Sequence, residues 1–262
     1  MKIHPTAIVH PKAELAEGVE IQPYTVIGPQ VRIDEGTIVG PHCVIDGRTT
    51  IGKNNHIFSG AQIGILSQDL KHKAGLIGRT EIGDSNMIRE HVTISASTMS
   101  SYDDDHRVTS IANGCLFMAY SHVAHDCHVG SNVIMANCTS LGGHVDVEDN
   151  ASIGGLSGVH QETVIGKLAF VGGMSRVSKD VPPFMIVEGN PARSIGPNTV
   201  GLRRYGLDQE ARTRIKQMYK IVFRSGLNMT QALQEIEASV DESEERMILV
   251  EFIRRSIRGV TG

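Results

Sequence analysis

Residues 123–147 read VAHDCHVGSNVIMANCTSLGGHVDV, and every sixth residue of this stretch is apolar: Val123, Val129, Met135, Leu141 and Val147. The same spacing extends through residues 111–177 and, earlier in the chain, through residues 3–63. A period of six matches neither the 3.6-residue repeat of a helix nor the two-residue alternation of an ordinary strand. It is typical of a solenoid of short parallel strands, in which each hexad supplies one inward-pointing residue.

A second column of small or β-branched residues lies two residues before each apolar one. Cys127, Val133, Thr139 and Val145 belong to it, and Asn55 is its polar exception. Small side chains suit a narrow interior, because protein cores fill to crystal-like density. With three hexads per turn, one coil takes about 18 residues, and neighbouring coils lie about 4.8 Å apart. The period leaves the handedness of the coil open.

Two segments interrupt the repeat, near residues 64–81 and 95–110. Loops of this length in a compact fold usually serve a function, so both are candidates for the wall of a binding site. The repeat ends at Val181-Pro182-Pro183, since proline cannot donate to a β-ladder. We therefore expect a β-helical domain over residues 1–183 and a helical domain over residues 184–262.

The pattern after residue 191 is helical. Asp208 is placed to cap a helix that stops at Gly226, and further helices are expected near 229–240 and 242–258. Such a tail would cover one end of the solenoid, as the terminal repeats of solenoids require.

The composition excludes several classes of function. The net charge is −4 and there is no basic run, which gives no case for a nucleic-acid partner. No signal peptide is apparent, and no apolar stretch approaches the roughly 20 residues that cross a bilayer. We therefore expect a cytoplasmic protein with no transmembrane segment. Three of the four cysteines, Cys43, Cys115 and Cys127, fall in the small-residue column, so neither a zinc site nor a disulfide is expected.

The histidines carry the candidate chemistry. His125, His144 and His160 follow one another at intervals close to the length of one coil, and should rise along one edge of the solenoid. Histidine exchanges protons near neutral pH, so His125 is a candidate general base, and the adjacent Asp126 could orient its ring. Gly143, one coil further on, could offer its N–H to an oxyanion. A base and an oxyanion donor without a nucleophile suggest direct acyl transfer onto a hydroxyl.

A metal site is the competing interpretation of these histidines. His122, His125 and His128 have a suggestive spacing. Residues six apart lie on different faces of a triangular coil, however, so His122 and His128 should point about 120° apart and cannot share an ion within one chain. We expect no metal.

Several motifs resemble the UDP-N-acetylglucosamine acyltransferases, which begin lipid A synthesis. Beside the hexapeptide repeat and the helical tail they are His122-Val123-Ala124-His125-Asp126-Cys127, Gly143-His144, Val159-His160-Gln161, Asp180-Val181-Pro182-Pro183 and Gly189-Asn190-Pro191. The resemblance covers essentially the whole chain. It implies a mainly β fold, a left-handed parallel β-helix of hexapeptide repeats with a C-terminal α-helical domain. It also implies a homotrimer with active sites between subunits.

The resemblance implies the reaction and its participants. A 3-hydroxyacyl chain would pass from acyl carrier protein to the 3-hydroxyl of UDP-N-acetylglucosamine. His125 would be the general base, Asp126 its partner and the Gly143 amide the oxyanion donor. No bound cofactor is implied, because the phosphopantetheine arrives on acyl carrier protein.

Substrate contacts are implied as well. Asp69 and Lys71 would reach the substrate across a subunit interface. Gly173 would set the acyl length and admit a long chain, with Met174 as a partial block. The remaining residues implied in substrate binding are His122, His144, His160, Gln161, Asn198 and Arg204.

The chain departs from the family pattern at four places. It has Ser95-Ala96-Ser97-Thr98 where the family usually has His-Arg-Gly-Thr, Glu162 for an aromatic residue, Val200 for an acidic residue and Tyr205 for an arginine. The last two concern nucleotide recognition. One alternative is therefore a related hexapeptide transferase with another acceptor, such as a 3-amino sugar, or with acetyl-CoA as donor. A non-catalytic solenoid is a further alternative, against which the intact His125-Asp126 pair argues.

Overall fold

The computed structural model describes residues 2–262, in which most strands are two residues long and end on an apolar residue of the six-residue repeat. In chain order, β1 to β28 are Lys2–Ile3, Ile8–Val9, Glu14–Leu15, Glu20–Ile21, Val26–Ile27, Arg32–Ile33, Ile38–Val39, Val44–Ile45, Arg48–Ile51, His56–Ile57, Gln62–Ile65, Arg79–Ile82, Met87–Ile88, Thr93–Ser95, Thr109–Ile111, Leu116–Phe117, His122–Val123, His128–Val129, Ile134–Met135, Ser140–Leu141, Asp146–Val147, Ser152–Ile153, Gly158–Val159, Val164–Ile165, Phe170–Val171, Arg176–Val177, Met185–Gly189 and Ala192–Pro197.

These strands form three sheets that make the faces of a triangular prism. Sheet A runs from β1 through every third strand to β25 and then to β27 and β28; sheet B runs from β2 to β26, and sheet C from β3 to β24. The pairing is parallel, and Leu141 lies beside Val159 on the next coil and Val123 on the previous one. The predicted length of the coil, three hexads, is therefore confirmed.

Both interruptions of the repeat leave the prism at the same place. The first joins β11 to β12 and the second joins β14 to β15. Both therefore lie at the B/C edge, the corner where sheet B passes into sheet C. Ile51 lies before the first insertion and pairs with Ile82, which lies after it. Ile82 in turn pairs with Ile111, which lies after the second insertion. The apolar column therefore keeps its register across both insertions.

The interior is built from the two columns that the sequence predicts. From Val19 onward the apolar column and its small neighbours are buried, and Ile33, Ile57 and Phe117 are completely so, whereas Ile3 on the first coil is 44% exposed. Asn55 fits because Asn86 follows it on the next coil. The Asn55 side chain accepts the Asn86 N–H at 2.8 Å, and the Asn86 side chain accepts the Cys115 N–H at 2.8 Å. Each amide thus satisfies a backbone group inside the core.

The corners impose a special backbone. Many corner residues other than glycine adopt the left-handed conformation, including Asp126, His144 and Glu162 with φ of 57°, 59° and 59°. Asp, Asn and His tolerate this region better than most residues. These three residues occupy equivalent positions on successive coils, so their side chains stack along the B/C edge.

The C-terminal part packs a helical cluster on the last coils. β27 extends sheet A beside β25, and β28 returns antiparallel to it. The helices are α1 (Thr199–Tyr205), α2 (Gln209–Arg224), α3 (Met229–Ser239) and α4 (Glu244–Arg255). The predicted cap of α2 is confirmed, since the Asp208 side chain accepts the Ala211 N–H at 2.7 Å. Sequence reasoning missed the β27–β28 hairpin and α1.

The last residues of the chain complete sheet C. Val181 bridges to Ile165, and Val260 bridges to Asp180. The buried Asp180 carboxylate accepts the Val164 N–H at 2.9 Å and the Ser256 hydroxyl at 2.6 Å. This end of sheet C is therefore covered. Across residues 2–262 none of the helices combines the length and hydrophobicity that crossing a bilayer requires.

Candidate active site

The B/C edge gathers most of the predicted site residues. His125 and Asp126 lie between β17 and β18, Gly143 and His144 between β20 and β21 one coil later, and His160 and Gln161 between β23 and β24. Both insertions belong to the same edge. The alignment predicted from the coil length is therefore what the structure shows.

His125 and Asp126 form a hydrogen-bonded pair, with 2.8 Å between His125 Nδ1 and Asp126 Oδ2. The aspartate is 5% exposed. Its carboxylate also accepts the Thr98 N–H at 3.1 Å, and its own N–H donates to the Thr109 hydroxyl at 2.8 Å. These contacts fix the carboxylate, which in turn fixes the imidazole with Nε2 directed away from Asp126.

The charge of Asp126 is stabilised although the residue is buried. Burial alone would raise the pKa of Asp126, but the hydrogen bonds from His125 and the Thr98 amide, together with the charge of His144, hold that pKa below its ordinary value of 3.8. The carboxylate is therefore ionised at neutral pH and able to stabilise a protonated imidazole.

Asp69 faces the other side of the same imidazole. Its Oδ2 lies 4.0 Å from His125 Nε2 within one chain. The first insertion thus folds back over its own edge. An approach to the substrate across a subunit interface, which the resemblance implies, stays a prediction. The Asp69 carboxylate is held by the Lys71 N–H at 2.9 Å. The Lys71 side chain is exposed.

Gly143 packs directly against His125. A Cβ at residue 143 would lie 2.4 Å from His125 Cε1 and 2.5 Å from Nε2, closer than any ordinary contact. Across residues 2–262 the Gly143 N–H finds no hydrogen-bond acceptor, although the residue is buried. A free amide beside the base is the arrangement that an oxyanion donor needs.

The other histidines of the edge surround this centre. His144 Nε2 lies 3.7 Å from Asp126 Oδ2, and the His144 and His125 rings meet edge to face at 5.2 Å. His160 and Gln161 are exposed on the next coil, where the His160 ring contacts the Gln161 carbonyl at 3.0 Å.

His122 lies on the sheet B side of the edge. Its Nδ1 is 2.7 Å from the Thr93 hydroxyl. Burial lowers the pKa of His122 below its ordinary value of 6.5, the charge of His125 lowers it further, and a hydrogen bond with the Thr93 backbone opposes both. His122 is therefore a neutral hydrogen-bonding group at pH 7.

A metal could in principle compete for these side chains. One nitrogen each from His125 and His144 and one Asp126 oxygen lie within 4.8 Å of one another. The 2.8 Å between His125 and Asp126 is a hydrogen-bond length, whereas two ligands of one tetrahedral zinc lie about 3.3 Å apart. His128 turns onto sheet C, where its ring is 2.8 Å from the Ser110 hydroxyl. The distance between His125 and Asp126 is therefore that of a hydrogen-bonded pair.

Four predicted residues lie away from this edge. The Asn198 side chain caps α1 through the Gly201 N–H and donates to the Leu168 carbonyl at 2.9 Å. Leu168 lies between β24 and β25, the corner between sheets C and A, and Arg204 follows on α1. Gly173 and the exposed Met174 lie between β25 and β26, at the corner between sheets A and B. One chain does not bring them to His125.

Two residues that sequence reasoning did not single out belong to the site. Thr98 holds Asp126, and Ser67 contacts Thr98 through its hydroxyl at 2.6 Å. Their segments were predicted as a wall of the site, but no periodic signal marks individual residues there.

Three residues at which the chain departs from the family pattern have surface positions. The Glu162 carboxylate lies 3.7 Å from the Arg258 guanidinium. Val200 and Tyr205 are about half exposed on α1.

A separate groove of about 980 Å³ runs along the outer face of sheet C beneath the end of α4. Ser110, His128 and Asp146 line its floor, and Arg255 and Arg258 its roof. His125 does not line it, so the groove is not the candidate active site.

Comparison with known proteins links both parts of the chain to one group of enzymes. A family model described as UDP N-acetylglucosamine O-acyltransferase, domain 2, matches residues 180–261, and the model of bacterial transferase hexapeptide repeats matches residues 12–47 and 109–143. The acyl-[acyl-carrier-protein]–UDP-N-acetylglucosamine O-acyltransferase of Anaeromyxobacter sp. (strain Fw109-5) is 46% identical over 261 residues and covers 100% of both chains. The enzyme of the same name from Pseudomonas entomophila (strain L48) is 43% identical and covers 99% of this chain and 98% of its own.

Solved structures agree with these matches. The UDP-N-acetylglucosamine acyltransferases of Bacteroides fragilis 9343 and Francisella novicida each superpose with a TM-score of 0.94 at 38% identity. Each match covers 99% of this chain, and respectively 99% and 93% of the solved one. The expected left-handed parallel β-helix with a C-terminal helical domain is confirmed.

Proposed function

The chain belongs to the UDP-N-acetylglucosamine O-acyltransferase family, and on that premise we propose that His125 is the general base of its reaction. The protein transfers an acyl chain from acyl carrier protein to UDP-N-acetylglucosamine, the first step of lipid A biosynthesis. The observation that carries the assignment of the base is the 2.8 Å pair between His125 and the buried Asp126.

The proposed reaction is a direct transfer, which the geometry of the pair supports. His125 Nε2 takes the proton of the sugar 3-hydroxyl while that oxygen attacks the thioester carbonyl of the donor. Asp126 stabilises the imidazolium that forms, and the free Gly143 N–H donates to the oxyanion of the tetrahedral intermediate. The intermediate then expels the phosphopantetheine thiolate, which takes the proton from His125. No bound cofactor enters these steps.

The test replaces the base. We expect His125→Ala to lower kcat by about 10²–10⁴-fold with little change in thermal stability, since His125 lies at the surface end of the pair. Turnover close to that of the unaltered protein would contradict the assignment.

We propose that the acyl chain runs from His125 towards Gly173. Sheet B separates the two corners, and Gly173 has no side chain to narrow a path along that sheet, since a Cβ there would make a tight contact of 3.3 Å with the Gly155 carbonyl oxygen. Mass spectrometry of the products from a panel of acyl carrier proteins and UDP-sugars measures the preferred acyl length and the preferred sugar. If the preferred sugar carries a 3-amino group, that group takes the place of the 3-hydroxyl as the acyl acceptor in this proposal.

We also propose a homotrimer with shared active sites. If Asn198 and Arg204 bind the nucleotide, they must come from a neighbouring copy, because within one chain they lie at another corner of the prism. In a cyclic trimer made of His125→Ala and Arg204→Ala subunits, one site in three combines an intact His125 with an intact Arg204. Co-expression of the two inactive variants should therefore restore activity. No restoration of activity in isolated mixed trimers would contradict active sites that combine His125 of one copy with Arg204 of another.

A cytoplasmic location completes the proposal. All four cysteines are free thiols, and burial raises the pKa of Cys127 to about 12, so that thiol stays protonated and unreactive. Fractionation of cells that produce the protein tests the location.

A further inference from the structure

The two insertions meet beside the catalytic pair through two hydroxyl groups. Ser67 Oγ lies 2.6 Å from Thr98 Oγ1. Thr98 is 1% exposed, and Ser67 is half-buried. A hydrogen bond this short between hydroxyls holds the first insertion against the second at one defined place.

Each of these residues also contacts one of the two aspartates that flank His125, Ser67 at the Asp69 backbone and Thr98 at the Asp126 carboxylate. Ser67 Oγ accepts the Asp69 N–H at 3.1 Å, and the Thr98 N–H donates to Asp126 Oδ2 at 3.1 Å. A connected path therefore runs from Asp69 through Ser67 and Thr98 to Asp126. His125 closes it, since its two nitrogens face Asp126 and Asp69 at 2.8 and 4.0 Å.

Resting on the proposed role of His125 as general base, we propose that Thr98 and Ser67 are positioning residues for the acyl transfer. Their hydroxyl pair sets the insertion that bears Asp69 at a fixed distance from the imidazole. A gap of 4.0 Å leaves room for one substrate oxygen at about 2.8 Å from His125 Nε2, with the Asp69 carboxylate beside it. A misplacement of about 1 Å in such a constellation costs on the order of 10² in rate.

This role also explains which part of the altered Ser95–Thr98 segment matters. Thr98 alone of the four bonds to Asp126. Ser97 instead accepts the Arg79 N–H and donates to the Arg107 carbonyl, which ties the strand to its neighbours. The departure from the family pattern therefore spares the residue that supports the catalytic pair.

The experiment removes the hydroxyls one at a time. Thr98→Val keeps the shape and the N–H that Asp126 needs but loses the contact to Ser67. We expect kcat/KM to fall about tenfold, mostly through kcat, because the contact acts on the geometry of the reacting groups. Thr98→Ser, which restores the hydroxyl, should lie within about threefold of the unaltered protein. Ser67 is half-buried on the first insertion, so Ser67→Ala puts no strain on residue 98. This variant should lower kcat/KM at least as much as Thr98→Val, because it also removes the acceptor of the Asp69 N–H.

A double-mutant cycle with Asp69→Asn separates positioning from general destabilisation. If Thr98 acts through Asp69, Thr98→Val should cost less than about threefold once Asp69 has been replaced. Thr37→Val is the matched control, because Thr37 is also buried and donates to the Gly52 carbonyl at 2.8 Å, far from the site. It should lower the melting temperature without changing kcat/KM.

Three outcomes would overturn the inference: full activity of Thr98→Val, equal loss in Thr98→Ser and Thr98→Val, or additive losses in the cycle with Asp69→Asn. Each of them leaves the role of His125 intact. An active His125→Ala variant would instead remove the proposed function on which the inference rests, so the two failures are distinguishable.

Discussion

Gly143 lies beneath the imidazole of His125, so close that a Cβ would stand 2.4 Å from the ring. The first prediction follows from this contact. Gly143→Ala should push the ring away from Asp126 and lower kcat by about 10²–10³-fold, because both the base and the amide are displaced. Steady-state kinetics measure the effect. Gly196→Ala is the control, since a Cβ there meets nothing within 4 Å, and an equal loss in both variants would refute the steric argument.

Replacing Asp126 by asparagine should separate its charge from its shape. Asparagine tolerates the left-handed backbone that residue 126 adopts at φ 57°, so the fold should persist. An amide cannot stabilise the imidazolium as a carboxylate does, and we expect kcat to fall about 10²–10⁴-fold. Asp146→Asn, on sheet C, should remain within about twofold. Retention of kcat in Asp126→Asn would show that the carboxylate charge is not used.

His122 should make stability depend on pH. Its folded-state pKa lies below the ordinary 6.5, so the unfolded chain binds this proton more readily than the folded one. The contribution of His122 to the free energy of unfolding is therefore fully present above about pH 6.5, where the ring is neutral in both states. It is lost as the pH falls towards the folded-state pKa. The melting temperature should therefore drop less between pH 8 and pH 5.5 in His122→Asn than in the unaltered protein. NMR should place the His122 titration midpoint below 6.5; a midpoint above it would contradict the burial argument.

Asp180 should be one of the most stabilising residues of the C-terminal end. Its carboxylate accepts two hydrogen bonds, and its backbone bonds to Gly259 and Thr261. Asp180→Ala leaves the Val164 N–H and the Ser256 hydroxyl without their partner and should cost about 2–3 kcal/mol. Thermal unfolding followed by circular dichroism measures the loss. Asp241→Ala, at an exposed residue, should change the melting temperature little, and a comparable loss there would contradict the prediction.

The sequence predicted the repeat and the edge on which the site lies, because both follow from one short period. Once a coil consists of three hexads, Gly143 must come beside His125, whatever the rest of the chain does. The capping role of Asp208 could be predicted for a similar reason, since a helix cap depends on a few neighbouring residues.

Other parts of the site could not be predicted because they depend on contacts between distant segments. The contact between Ser67 and Thr98 spans 31 residues and joins two insertions that have no period. The β27–β28 hairpin and α1 depend on packing against the last coils. Asn198 illustrates the limit, since its side chain caps α1 and holds Leu168, which no local pattern indicates.

The length of the coil also limits which insertions the chain can accept during evolution without losing its site. An insertion of one whole coil between His125 and Gly143 would move them about 4.8 Å further apart while leaving both on the B/C edge. An insertion of a single hexad would keep the apolar column intact, yet rotate every later residue by a third of a turn and carry Gly143 and His144 to another corner. The core would accept both changes, but the site would lose its alignment in the second. The two insertions that the chain does carry avoid this penalty, because each leaves the prism and returns at the same edge, with Ile51, Ile82 and Ile111 still paired in one register.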